Sequence, residues 1–208
     1  MAHQPGYDAL AQLYATTFPT AFTTPLERHS IEVFTETVRA RADDPVVVDV
    51  GCGIGHVAAH LAAGGVQVIA VDPSSGMVGI GRATHPHIDF RYGDAGLDEV
   101  ELSRVDAILA RFSLIHLSPE LMPAVLTSWR RRLPAHAMVL VAAQSADEPG
   151  VHEFDHAVAR AWRWHPDTLA EYLAAAGFEE HWRTLSHPDP QHRFPEVHML
   201  SGIGGRTA

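Results

Sequence analysis

The sequence has a single cysteine, Cys52, which excludes an internal disulfide and points to a reducing compartment. Basic residues are scarce: 15 Lys plus Arg stand against 25 Asp plus Glu, a formal net charge of −10. Such a chain repels a phosphate backbone, which argues against nucleic acid as partner or acceptor. The one basic cluster, Arg130-Arg131-Arg132, falls at the end of an expected helix, where cations complement the dipole. No apolar run approaches the roughly 20 residues needed to cross a bilayer. Residues Met1 to Leu10 lack the basic-then-apolar pattern of a secretory signal. These absences lead to the expectation of a cytoplasmic protein with no membrane partner; a monomer or a homodimer is expected, although no feature of the sequence sets the oligomeric state. Internal repeats and low-complexity segments are also lacking.

The 208 residues, 46% apolar and 19% charged, suit a single domain spanning 1–208 with one sizeable core. Short apolar runs alternate with amphipathic stretches, the pattern of βαβ units and a parallel sheet. Tyr7 to Arg41 has helical spacing of apolar residues, interrupted by the Thr/Pro-rich stretch from Thr16 to Pro25, so residues 1–42 are expected to form an N-terminal helical lid. Strands are expected at 46–50, 66–71, 88–92, 105–110, 138–143, 178–185 and 197–200. Between them, helices are expected after the glycine-rich turn at 51–55, after Ser74 or Ser75, from Ser118-Pro119 to Leu133, over 151–164 and over 167–176. Residues 145–165 read as a cap inserted on the acceptor side.

The informative element is Val46-Val47-Val48-Asp49-Val50-Gly51-Cys52-Gly53-Ile54-Gly55. A buried strand ends, the chain turns on glycines that accept positive φ, and a helix N-terminus follows with unpaired N–H groups. Such a bend suits a nucleotide-like cofactor at the carboxyl edge of a sheet. Its spacing is G-x-G-x-G, not the G-x-G-x-x-G of pyrophosphate-binding folds. Asp49 would repel a pyrophosphate but attract the ammonium of an amino-acid moiety. Both features argue against a nicotinamide oxidoreductase. Asp72 follows Gly55 by seventeen residues and ends the second expected strand, where a carboxylate can accept both ribose hydroxyls. Asp94, in Gly93-Asp94-Ala95, can meet an adenine amino group or serve as an ordinary turn residue.

Asp49 to Gly55, Val71-Asp72-Pro73-Ser74, Gly93-Asp94 and Ala110-Arg111-Phe112-Ser113-Leu114-Ile115-His116 resemble the successive motifs of class I S-adenosylmethionine-dependent methyltransferases, in the small-molecule branch labelled type 11 or type 25. The likeness runs from about Tyr7 to Leu200. It implies a Rossmann-like, doubly wound α/β fold, with a seven-stranded, mostly parallel sheet, a reversed last strand and helices on both faces. It implies S-adenosyl-L-methionine as cofactor and S-adenosyl-L-homocysteine as product. By the same resemblance Gly51, Cys52, Gly53 and Gly55 line the cofactor with Asp49, and Asp72 with Pro73 holds its ribose. Met77 packs on the adenine, flanked by Gly93, Asp94 and Ala95. Arg111, Phe112 and Ser113 form the floor near the sulfonium, and Tyr14 closes over the cofactor. Many relatives carry an acid or asparagine just after the fourth strand; Arg111-Phe112-Ser113 departs from that pattern, which removes support for amide or DNA-amine chemistry.

A sulfonium methyl is already electrophilic, so alignment and water exclusion are the main requirements, and a base is needed only for a protonated acceptor. His116, just beyond the fourth strand, and His156 are the candidate acceptor-side residues. Trp162 and Trp164 are candidates to stack on a planar, small-molecule acceptor. The expected activity is methyl transfer to an oxygen or nitrogen. One competing motif remains: His152-Glu153-Phe154-Asp155-His156 matches H-E-x-x-H, which on a helix would place two histidines on one face for zinc-dependent hydrolysis. With fifteen histidines in the chain and no clear third ligand, that reading ranks below the methyltransferase, as does a non-catalytic S-adenosyl-ligand-binding module.

Overall fold

A computed structural model describes residues 5–190 and 192–204. Helices α1 (Pro5–Thr17) and α2 (Pro25–Arg39) precede an alternation of β1 (Val46–Val50), α3 (His56–Ala63), β2 (Gln67–Asp72), α4 (Ser75–Thr84), β3 (Asp89–Tyr92), β4 (Ala107–Arg111), α5 (Met122–Arg132) and β5 (Met138–Gln144). Then come β6 (Val151–Phe154), β7 (Ala161–Trp164), α6 (Pro166–Ala175), β8 (Phe178–Leu185) and β9 (Glu196–Ile203).

Seven strands form one sheet in the order β3-β2-β1-β4-β5-β9-β8. Pairing is parallel from β3 through β5, and β9 runs antiparallel to both β5 and β8, the reversed last strand expected from the motifs. The central strands are apolar at nearly every position because both faces are covered. Val48, Ile108 and Val139 point to one face, where Leu126 and Trp129 of α5 and Leu169 and Leu173 of α6 pack. Val47, Leu109 and Leu140 point to the other, against Ile31, Phe34 and Val38 of α2 and Leu61 of α3. The strand order reverses between β1 and β4, so this topology opens a crevice beyond their carboxyl ends.

The N-terminal region is two helices, as expected, separated around the Thr/Pro stretch. A capping box starts α2: the Thr24 hydroxyl accepts from Glu27 N at 3.2 Å, and the Glu27 carboxylate accepts from Thr23 N at 2.9 Å. Helix α1 lies against α4, packing Ala11 on Ile54 and Met77. Asp8 fastens it there, accepting from Ser74 Oγ at 2.7 Å and Gly76 N at 3.0 Å at the positive end of α4.

Two expectations are corrected. Residues 151–164 form the antiparallel hairpin β6–β7, not a helix, with Val151 opposite Trp164 and Phe154 opposite Ala161. The β-formers at its ends pair across strands, and Trp164 is buried against Tyr172, with ring centroids 5.1 Å apart. Helix α5 begins at Met122 rather than Ser118: Ser118 O closes a turn by accepting from Leu121 N and Met122 N, and Pro123 occupies the first helical turn. No helix among the described residues is long and apolar enough to cross a membrane.

Candidate active site

The crevice holds a cavity of about 460 Å³, bordered by the ends of β1, β2 and β4 and roofed by α1. Its wall is the turn after β1. Gly51 N and Cys52 N both donate to Val71 O, at 2.7 and 3.1 Å, tying the turn to β2. Gly51, Gly53 and Gly55 all have positive φ, at 69°, 55° and 85°. Their surroundings differ. A Cβ on Gly51 would lie 2.3 Å from Ser113 Cβ, and one on Gly55 would lie 2.3 Å from Phe90 Cζ. One on Gly53 would meet only Tyr14 Cε1, at 3.9 Å. Gly53 therefore faces open space beneath the Tyr14 ring, whereas Gly55 permits helix-to-strand packing and does not line the cavity.

Two carboxylates flank the turn. Asp72 accepts from Gly53 N through Oδ2 and from Ser74 N through Oδ1, both at 2.8 Å, so it shapes the turn and still offers lone pairs to the cavity. Burial pushes its carboxyl up to about 6, although those two amides act in the opposite direction. Asp49 is 2% exposed, and its Oδ2 has no hydrogen-bond partner. Desolvation raises its carboxyl to about 7, only partly offset by Arg111. A buried, unpartnered acid oxygen facing a cavity is a place for a cation. Arg111 Nε and Ser113 Oγ on the floor are likewise buried without partners.

Other expected residues fall around this space. Cys52, Pro73, Met77, Asp94, Ala95 and Phe112 line it. Burial holds the Cys52 thiol up, which makes it unreactive. Asp94 Oδ1 accepts from Gly96 N at 2.8 Å, so the residue also forms its own turn. Gly93 does not reach the cavity; a Cβ there would strike the Glu99 carboxylate. Phe112 has φ of 51°, a strained conformation for a non-glycine residue at the end of β4. Arg111 stacks on Phe112, 4.8 Å from the ring centroid, and is ion-paired to Glu27.

His116 lines the cavity beyond the end of β4. Its Nδ1 lies 2.9 Å from Arg160 O, and its Nε2 lies 2.9 Å from Tyr7 Oη. A carbonyl only accepts, so Nδ1 carries the proton and Nε2 accepts from the tyrosine hydroxyl. Burial lowers the affinity of His116 for a proton, and the nearby His156 ring adds to this, so the imidazole is neutral near pH 7. Burial raises the Tyr7 phenol, which stays protonated as a donor. Tyr7 also lines the cavity.

Residues 47–136 match the family model described as a methyltransferase domain. Over that stretch the chain is similar to class I methyltransferase domains. A curated relative, the N-demethylindolmycin N-methyltransferase of Streptomyces griseus, is 31% identical over 112 residues, 51% of this chain and 47% of that protein. The match thus spans about half the length of that relative. The methyltransferase fold extends over the whole chain: the 1,6-didemethyltoxoflavin-N1-methyltransferase of Burkholderia thailandensis aligns with 99% of this chain and 92% of its own at a TM-score of 0.69 and 20% identity. The magnesium protoporphyrin IX methyltransferase of Synechocystis PCC 6803 aligns with 97% and 95% at a TM-score of 0.72 and 13% identity.

Three acceptor-side expectations change. His156 does not line the cavity; it sits behind His116, ring centroids 4.8 Å apart. Trp162 and Trp164 lie outside the cavity lining because the hairpin turns them elsewhere: Trp164 enters the core, and Trp162 lies beneath the Arg160 guanidinium. The H-E-x-x-H arrangement loses its premise, since its residues are on a strand and a turn. His152 Nε2 is 3.2 Å from the Glu148 and Pro149 carbonyls, and Glu153 is paired with Arg160. Two residues absent from the sequence reading matter here: Tyr7, signalled only by its seven-residue spacing from Tyr14 on one helix face, and Glu27, signalled only as the acid of a capping box.

Proposed function

We propose that the domain transfers a methyl group from S-adenosyl-L-methionine to a nitrogen or oxygen of a small-molecule acceptor, releasing S-adenosyl-L-homocysteine. The observation that carries this reading is the unpartnered Asp49 oxygen beside the open face of Gly53. Asp49 would hold the amino-acid ammonium there, and Asp72, Met77 and Asp94 would hold the adenosine side. The relatives named above support a small acceptor, and the two that act on nitrogen by name support nitrogen. When bound, the cofactor supplies a sulfonium methyl that an acceptor lone pair can take in line. The chain's own residues orient and enclose. Tyr14 roofs the glycine turn, α1 excludes water, and Phe112 with Ser113 forms the floor. The acceptor's proton passes by way of the Tyr7 hydroxyl to His116 Nε2, whose Nδ1 proton is held by the Arg160 carbonyl.

Calorimetric titration with S-adenosyl-L-homocysteine tests the cofactor half of the proposal. Binding is expected, with a marked loss in Asp49→Asn; no measurable affinity in the wild type would overturn the reading. The pH dependence follows from Asp49. In the free protein its carboxyl is raised to about 7 from its ordinary value of 3.8, so between those values the folded state binds more protons than the unfolded state. The unliganded fold therefore loses stability as pH rises through that window. Ligand binding runs the other way, because a cationic ammonium requires the ionised acid. Affinity should fall by up to roughly tenfold per pH unit below about 7, with proton release on binding. Buffers of different ionisation enthalpy measure that release, and its absence would remove Asp49 from the ammonium site.

A further inference from the structure

Outside the cavity, one cluster among the described residues has the composition of a metal site. It joins the start of α2 to the connection between β8 and β9. Single ligand atoms of Glu27, His192 and Glu196 all lie within 4.8 Å of one another. Glu27 and Glu196 are 2% and 8% exposed. The two oxygens of Glu27 are divided. Oε2 is taken by Arg111 and by Thr23 N, whereas Oε1 points toward His192 Nε2 at 3.8 Å. His192 is oriented from behind: its Nδ1 lies 2.9 Å from the Asp189 carboxylate. A histidine whose far nitrogen is held by a carboxylate while its near nitrogen faces acidic oxygens is the arrangement that outer-shell residues create around bound metals. Glu196 supplies the independent observation. The residue is 8% exposed, offers a carboxylate oxygen within 4.8 Å of the other two ligand atoms, and meets no hydrogen-bond donor through that carboxylate among the described residues.

We propose that Glu27, His192 and Glu196 form a divalent transition-metal site, with Asp189 as the residue that positions His192. An imidazole with two carboxylates is a donor set that suits zinc. Zinc ligands sit about 2.0–2.2 Å from the ion at tetrahedral angles, so two of them are about 3.5 Å apart. Ligand atoms that now lie within 4.8 Å of one another have to close by up to about 1.3 Å, a shift that side-chain torsions can supply. Two buried carboxylates, Glu27 and Glu196, stand beside one guanidinium, Arg111, and a dication would offset the second. Arg111 stays in place by keeping Glu27 Oε2, and the ion uses Oε1. The ion's effect would be to tie the β8–β9 connection to α2, on the outer side of the residue that lines the cavity floor. Beside it, α2 already meets β8 through Ser30 Oγ and Thr184 Oγ1, at 3.2 Å.

The test is calorimetric titration of chelator-treated, full-length protein with zinc chloride, paired with elemental analysis and thermal melting. One zinc per chain is expected, with a melting temperature that rises as zinc is added. Affinity should drop at least tenfold in His192→Ala and in the near-isosteric Glu196→Gln, and roughly tenfold or more in Asp189→Asn. His152→Ala, which alters a histidine of the H-E-x-x-H motif, should leave it unchanged. Circular dichroism of Glu196→Gln separates loss of a ligand from loss of fold. No stoichiometric zinc in the wild type, or equal affinity in folded Glu196→Gln and His192→Ala, would overturn the proposal. The titration needs no methyl donor, so its outcome is independent of the catalytic reading.

Discussion

His116→Ala should slow methyl transfer by about 10²–10³-fold while changing S-adenosyl-L-homocysteine affinity by less than about threefold. General-base assistance accounts for factors of this size. The imidazole is well placed for it: Nδ1 faces the Arg160 carbonyl, Nε2 faces Tyr7, and burial keeps the ring neutral near pH 7. The affinity is spared because His116 lies beyond β4, on the acceptor side, away from Asp49 and the glycine turn. The pH profile gives a second readout. Burial lowers the pKa of His116 below its ordinary value of 6.5, so base function is present above that pKa and lost as pH falls through it. The acid limb of kcat should lie below pH 6.5 and vanish in His116→Ala. It is distinct from the limb near pH 7 that Asp49 imposes on cofactor affinity. Tyr7→Phe should also be slow, and because the two groups act as one relay, the double variant should be about as slow as His116→Ala alone. Strictly additive losses would mean that Tyr7 serves only to hold α1 down. Wild-type rates in His116→Ala would remove the histidine from the reaction.

What was legible in the sequence divides along the range of the interactions. The βαβ alternation could be read because each central strand is buried on both faces and so appears as an unbroken apolar run, as in Val46 to Val50. The glycine turn could be read because positive φ restricts residue choice locally, at Gly51, Gly53 and Gly55. The failures involve partners distant in the chain. The spacing of His152 and His156 fits a helix, but the pairing of Val151 with Trp164 and the burial of that indole outweigh any helical preference. Ser118-Pro119 has the chemistry of a helix start, and a local turn uses it instead. Nothing near Tyr7 in sequence announces His116, 109 residues away, and nothing near Arg111 announces Glu27. The acidic end of α1 was equally silent: Asp8 caps a helix that begins at Ser75, and this contact brings the tyrosines over the cavity.

The three glycines of the turn should separate when each is replaced by alanine, because one motif serves two physical ends. Gly55→Ala places a methyl 2.3 Å from Phe90 Cζ at a φ of 85°. Overpacking and the left-handed penalty together should cost about 3 kcal/mol. For a chain of this size that lowers Tm by roughly 6–12 °C. Cofactor affinity of the folded fraction should change little, since Gly55 does not line the cavity. Gly53→Ala reverses the pattern. Its φ of 55° is one that alanine tolerates at about 1–2 kcal/mol, and the new methyl meets nothing nearer than Tyr14 Cε1 at 3.9 Å. It projects into the space beneath the tyrosine, so S-adenosyl-L-homocysteine affinity should fall by a factor of ten or more while Tm falls by only a few degrees. Gly51→Ala should show both losses, since its methyl would sit 2.3 Å from Ser113 Cβ on the cavity floor. Thermal melts and titrations on the three variants resolve the matter. If Gly53→Ala binds as tightly as the wild type while Gly55→Ala does not, the ligand lies on the other side of the turn, and the orientation assigned to the cavity is wrong.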